Sequence, residues 1–112
     1  MKVPFKTNLT GKTAIVTGGS GTLCSAMAYG LAVSGAKIAL IGRRLDKLQE
    51  VTDDIKVKAE REYGKKVIVK GYSCDVTDKI GLAQVYEIIK RELGSCDILV
   101  NGAGGNQPGA IT

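Results

Sequence analysis

Lys12 to Leu31 reads KTAIVTGGSGTLCSAMAYGL, and the reading of this stretch decides the fold. A short apolar run, Thr13-Ala14-Ile15-Val16, enters the glycine-rich turn Thr17-Gly18-Gly19-Ser20-Gly21. Beyond the turn, Leu23, Met27 and Leu31 recur at a four-residue step, which predicts one face of a helix. Ala26 and Gly30, also four apart, give that helix a small-residue face able to sit close against a sheet. Strand, glycine turn and helix together form the opening unit of a nucleotide-binding α/β sheet. Glycines let the backbone approach a pyrophosphate without Cβ clashes, and the free N–H groups of the helix N-terminus attract its negative charge. The stretch is read as a phosphate cradle.

Working outward, the chain alternates regularly. A lead-in over 1–11 ends at Gly11, and strand one covers about 12–17. Helix one runs to Ser34, where Gly35 stops it. Lys37-Ile38-Ala39-Leu40-Ile41 is a second strand, ending at Gly42-Arg43-Arg44. Leu45, Leu48, Val51, Ile55 and Ala59 step by three and four through a second helix that closes near Gly64. Val67-Ile68-Val69 begins a third strand extending towards Tyr72, and Cys74-Asp75-Val76-Thr77-Asp78 follows. Thr77 or Asp78 is placed to cap a third helix, with Leu82, Val85, Ile89 and Leu93 as its buried stripe. Asp97-Ile98-Leu99-Val100 is strand four, running into Asn101-Gly102-Ala103-Gly104-Gly105. The order βαβαβαβ with right-handed crossovers predicts a doubly wound parallel sheet of the Rossmann type, strand order 3-2-1-4. That order opens a crevice between the ends of strands one and four, bordered by both glycine-rich loops.

Composition narrows the function classes. At 112 residues the chain is one domain or less, because domains usually span ~100–200 residues. The net charge is +5, with Lys56, Lys58, Lys65, Lys66 and Lys70 supplying much of the excess. Spread over a helix end, a turn and a strand, they read as a solvated face. With five aromatics and no basic–aromatic motif, nucleic acid is not an expected partner. Cys24, Cys74 and Cys96 are an odd number without C-x-x-C spacing, and there is no histidine, which argues against a zinc site or disulfide framework and for reduced cytoplasmic thiols. No stretch reads as a signal peptide or approaches the ~20 apolar residues of a membrane span. A cytoplasmic, soluble protein is expected.

Arg43 bears on cofactor choice. A site preferring NAD carries an acidic residue at the end of strand two, accepting from the ribose hydroxyls. Here Ile41-Gly42-Arg43-Arg44 offers no carboxylate before Asp46, and a guanidinium suits a 2′-phosphate. NADP(H) is expected over NAD(H).

Thr17-Gly18-x-x-x, the Asp75-Val76 pair and the Asn101-x-Ala103-Gly104 loop resemble the short-chain dehydrogenase/reductase family, in its order and spacing and over essentially the whole chain. The stretch Asn101-Gly102-Ala103-Gly104-Gly105-Asn106-Gln107-Pro108 is similar to the family's branch of D-mannonate oxidoreductases, or fructuronate reductases, which act on sugar acids. The resemblance implies that Gly18, Ser20, Gly21, Thr22 and Leu23 contact the cofactor phosphates and that Arg43 holds a 2′-phosphate, with Arg44 nearby. It further implies that the Asp75 carboxylate accepts from the adenine amino group, that Val76 packs on the ring, and that Asn101, Gly102, Ala103 and Gly104 line the cofactor's ribose. It also implies a homo-oligomer at full length. The family's catalytic tyrosine, lysine, serine and asparagine are expected beyond Thr112, so this chain would be the N-terminal cofactor half of one domain, cut after strand four, and no catalytic residue is named in it. The substrate class implied is a secondary alcohol or ketone of a sugar acid.

Three departures stand out. The pattern T-G-x-x-x-G-x-G wants glycine at 22 and 24, where this chain has Thr22 and Cys24, and the second asparagine of N-N-A-G is Gly102. Thr22 keeps its backbone N–H and adds a hydroxyl, while Gly21 supplies the flexibility lost at 22. Cys24 reads as a small packed hydrophobe rather than a redox switch, and is expected to hold the helix slightly further out. Two further motifs are spurious. Tyr86 and Lys90 have Tyr-x-x-x-Lys spacing but lie on helix three, ahead of strand four, as an i,i+4 surface pair. Gly11-Lys12-Thr13 mimics a P-loop end, but Lys6 stands where its glycine must be. The competing reading is a non-catalytic nucleotide-binding module complete at Thr112, with a partner chain against Asp97–Val100. A methyltransferase-like sheet fits poorly, because strand two lacks the acidic residue for an adenosyl ribose.

Overall fold

The structure, a computed structural model, describes residues 8–18 and 21–102. Four strands alternate with three helices: β1 (Thr13–Thr17), α1 (Thr22–Val33), β2 (Lys37–Gly42), α2 (Leu45–Tyr63), β3 (Val69–Ser73), α3 (Lys79–Glu92) and β4 (Ile98–Asn101). All pairings are parallel and the sheet order is β3-β2-β1-β4, the Rossmann-type order expected from the alternation. Val16 pairs with Leu40 on one side and Val100 on the other, so β1 is the central register strand of the crevice.

Side chains of period two divide the core into two layers. Ala14, Val16, Ile38, Leu40, Val69 and Val100 meet α1 and α2 through Cys24, Ala28, Leu31, Ala32, Leu48, Ile55 and Ala59. Ile15, Ala39 and Ile41 face α3 through Ile89 and Leu93. Leu48 shows how α2 settles on the sheet. It is fully buried, and Cβ atoms built at Gly42 and Gly71 would stand 3.2 and 3.0 Å from its side chain. Two glycines on neighbouring strands therefore make the hollow that receives one leucine.

Several boundaries and faces differ from expectation. The face of α1 turned to the sheet is Cys24, Ala28, Leu31 and Ala32 rather than Leu23, Met27 and Leu31. Leu23 is 56% exposed and Met27 half-buried, because the small residues permit the close approach and the first turn stands at the sheet's rim. Of the pair Ala26 and Gly30, Gly30 is buried, and Ala26 is half-buried in the groove between α1 and α2. Strand β3 starts at Val69, although the amide of Ile38 already donates to the Ile68 carbonyl at 2.9 Å. On α3 only Ile89 of the expected stripe is buried within the helix, with Leu93 buried just beyond it and Leu82 and Val85 half-buried.

Helix ends follow capping chemistry. Asp78, not Thr77, caps α3, accepting from the Gly81 amide at 3.1 Å. Gly64 closes α2 at φ +64°, and its amide donates to the Glu60 carbonyl at 2.9 Å. Lysines also serve helix ends: Lys65 Nζ donates to the Val33 carbonyl of α1 at 2.7 Å, and Lys37 Nζ to the Leu93 carbonyl after α3 at 3.0 Å. Lys58 pairs with Asp54 and Lys70 with Glu92, so much of the basic excess is engaged within the fold.

Candidate cofactor site

The carboxyl ends of the strands form one crest, stitched by backbone hydrogen bonds. The Gly18 amide donates to Ile41 at 2.8 Å, the Cys74 amide to Gly42 at 2.8 Å and the Gly102 amide to Thr17 at 3.1 Å. The segments leaving β1, β3 and β4 at this end are thereby each fixed to a neighbouring strand before they turn.

Gly18 has φ +72°, a left-handed conformation that glycine adopts without strain. Its carbonyl accepts from the Gly21 amide at 3.0 Å, closing the turn, and Gly21 is the N-cap of α1. That cap carries no side-chain hydrogen bond, and the first turn of α1 holds no acidic residue. The amides of Thr22, Leu23 and Cys24 therefore have no intrahelical acceptor, and no carboxylate of that turn competes for them. Thr22 and Leu23 are exposed at the rim. The Ser20 position lies outside the described residues. Tyr86 is half-buried against the α3-side core rather than on the surface, and burial pushes its phenol up.

Across the crevice, the Thr17 hydroxyl donates to Asn101 Oδ1 at 2.8 Å, which ties the end of β1 to the end of β4 and leaves the NH2 group of Asn101 as a donor. Gly102 follows. Ala103 and Gly104 lie outside the described residues. Cys24, 8% exposed, fills the space beside Gly102 with its sulfur: a Cβ built at Gly102 would overlap Cys24 Sγ. The volume required by the side chain at 24 is found at position 102, so the two departures from the family pattern meet in one place.

At the far end, Arg43 follows β2 and reaches the turn after β3, where its guanidinium pairs with Asp75 Oδ2 at 3.4 Å. The side chains are 74% and 44% exposed, so the pair is loose and solvated. Asp75 Oδ1 accepts from both the amide (2.9 Å) and the hydroxyl (2.7 Å) of Thr77. These bonds, more than Arg43, hold the Asp75 carboxyl below its ordinary range. Oδ1 is thus saturated, and Oδ2 retains a lone pair for an incoming amino group. Val76 is half-buried and packs beneath this end against the α3-side core. Arg44 is engaged separately, with Asp46 at 3.0 Å. Sequence reasoning missed the Thr77 lock, although Asp-x-Thr is a legible turn signal. It also missed the Cys24–Gly102 contact, for which no linear signal exists.

A parallel sheet in the order 3-2-1-4, with a glycine turn leading into a helix at its switch point, defines a doubly wound α/β protein of the Rossmann type. Its family follows from comparison: the short chain dehydrogenase profile matches residues 12–112. The chain belongs to that family. It is 44% identical over 114 residues to an uncharacterized oxidoreductase, UxuB, of Bacillus subtilis, a match covering 98% of this chain and 37% of that protein. Among solved structures, a candidate D-mannonate oxidoreductase from Haemophilus influenza with bound NAD superposes with a TM-score of 0.77 at 35% identity, covering 91% of this chain and 34% of that one. L-sorbose reductase from Gluconobacter frateurii, complexed with NADPH and L-sorbose, superposes with a TM-score of 0.71 at 32% identity over 86% of this chain and 34% of that one. The chain spans a little over a third of the length of the relatives it matches. Among the described residues, no helix is long and apolar enough to cross a membrane and no cluster of metal-ligating side chains occurs.

Proposed function

We propose that this chain is the cofactor-binding part of an NAD(P)-dependent oxidoreductase that interconverts a secondary alcohol and a ketone. The observation that carries the reading is the crest itself: the Gly18 turn, the first-turn amides of Thr22 to Cys24, which have no intrahelical acceptor, and the Asn101 carboxamide border one crevice. A nicotinamide dinucleotide fits it, because the Arg43–Asp75 end offers charged side chains while the phosphate end presents backbone N–H groups. When bound, the dinucleotide supplies or accepts the hydride. This chain's own residues bind and orient it. The α1 amides hold the pyrophosphate, Asp75 accepts from the adenine amino group through Oδ2, and Asn101 steadies the ribose on the nicotinamide side.

NADP(H) is proposed as the preferred cofactor. The support is the cationic pair Arg43 and Arg44 after β2, with no carboxylate at the strand's end. A sugar acid of the mannonate/fructuronate kind is the proposed substrate, supported by the likeness to the D-mannonate oxidoreductase structure. The test is a steady-state assay of the full-length protein at 340 nm against ketose acids and the matching ketoses, with NADPH and NADH in parallel. Turnover of a ketose acid, faster with NADPH, is the expected result. Turnover confined to uncharged ketoses would refute the substrate class, and equal use of both cofactors would refute the preference.

A further inference from the structure

Gly102 is a glycine that its backbone does not require. Its φ is not among the positive values, unlike those of Gly18, Gly35, Gly64 and Gly94. An L-residue could adopt this conformation, so the absence of a side chain must come from space. The space is taken by one atom. A Cβ at 102 would overlap Cys24 Sγ, whereas Cys24 Cβ would stand 3.8 Å away, an ordinary contact. The Thr17 carbonyl oxygen, at 3.1 Å, is tight but present whatever occupies position 24.

Cys24 belongs to the first turn of α1, whose amides face the phosphate end, and Gly102 directly follows β4. The sulfur is buried in the core shared by β1, β4 and α1 and stands where the two walls meet. We infer that Cys24 and Gly102 form one steric unit in which the Cys24 sulfur takes the place of a side chain at 102 and sets the separation of the two walls of the cofactor crevice. Cys24 is then a positioning residue. It touches no cofactor atom and acts through the placement of Gly102, at the end of β4, relative to α1.

A double-mutant cycle in the full-length protein tests this. In Gly102→Ala the new methyl meets the sulfur, pushing the end of β4 at Gly102 away from α1. NADPH dissociation constants should rise about tenfold or more, within the range of coupling energies seen for residues in contact. In Cys24→Ala/Gly102→Ala only the sulfur is removed, and affinity should return to within about threefold of wild type. Adenosine 2′-monophosphate, which has no 5′-phosphate and so reaches only the Arg43–Asp75 end, should bind all variants alike. A general loss of structure would weaken it together with the dinucleotide. An equal effect of Gly102→Ala in the wild-type and Cys24→Ala backgrounds overturns the steric unit, and equal weakening of the fragment overturns the positioning role. Should Gly102→Ala fail to fold, recovery of soluble, cooperatively melting protein in the double variant supports the unit, and no recovery overturns it. The dinucleotide arm rests on the cofactor reading above, whereas the melting arm does not. Wild-type protein that binds neither NADPH nor NADH would therefore refute that reading and the positioning role, while the melting temperatures still judge the contact.

Discussion

Replacing Arg43 by alanine should weaken NADPH binding far more than NADH binding, and the structure sets the scale. In the free site the guanidinium is held by Asp75 at 3.4 Å, with side chains 74% and 44% exposed. A pair so exposed contributes roughly 0–1 kcal/mol, so releasing Arg43 to a 2′-phosphate costs little. A charge-assisted hydrogen bond to that phosphate contributes about 1.5–3 kcal/mol, and the net advantage is therefore about 2 kcal/mol, or roughly 30-fold in Kd. NADH lacks the 2′-phosphate and should change by less than about threefold. Arg44 already pairs with Asp46 at 3.0 Å and so serves as a weaker reserve. The double variant Arg43→Ala/Arg44→Ala should extend the NADPH loss without touching NADH. Titration of the full-length protein with both reduced cofactors, followed by nicotinamide fluorescence, reads both numbers directly. The NADPH affinity should also fall with added salt, because the contact is solvated. An NADPH dissociation constant altered less than about threefold in Arg43→Ala, at low salt, would refute the reasoning.

Four further outcomes follow from particular contacts. Leu48→Ala empties the hollow between Gly42 and Gly71 and should cost about 2–5 kcal/mol in chemical denaturation; a loss under about 1 kcal/mol would mean that the strands collapse into the space. Thr52 is buried with its hydroxyl unpartnered among the described residues, so Thr52→Val should raise stability by about 1 kcal/mol, against the usual penalty of that exchange. Asp78→Ala should lose about 1 kcal/mol, because the Gly81 amide loses its cap. Thr77→Ala should raise the Asp75 pKa towards the ordinary value, read by carboxyl NMR. In the wild type that pKa is depressed, so the carboxylate's contribution is complete at neutral pH. It is lost only as pH falls below the ordinary value of about 3.9 and through the folded one.

The order of elements was legible because β1, β2 and β4 are apolar runs and each helix ends at a glycine or begins at an acidic cap. Gly64 and Asp78 act in the structure as their residue types predict. What periodicity could not resolve was α1. Its residues are apolar nearly all round, so a four-step series can be drawn through several faces, and Leu23-Met27-Leu31 is the bulkiest rather than the buried one. Close packing selects small side chains, and the Cys24-Ala28-Ala32 series lies where the sheet comes nearest. The weak stripe of α3 has a different cause. Leu82 and Val85 are only half-buried and the β4 residue on that face, Leu99, is itself 46% exposed, so of the stripe only Ile89 and Leu93 are fully covered.

The site residues were named from spacing, yet their environment depends on contacts that spacing cannot express. The adenine contact that the family resemblance implies for Asp75 does not say how its carboxylate is held. The structure divides its two oxygens, giving Oδ1 to Thr77 and keeping Oδ2 towards Arg43. One carboxylate thus shapes the turn and leaves an acceptor facing the crevice. The glycine pattern carries the same lesson more sharply. Read along the chain, Cys24 and Gly102 are two separate losses, a side chain where none is wanted and none where one is wanted. In space the sulfur occupies the volume beside Gly102, so each explains the other. A linear motif scores such a pair as two mismatches, whereas packing counts a single exchange of volume between the walls of one crevice.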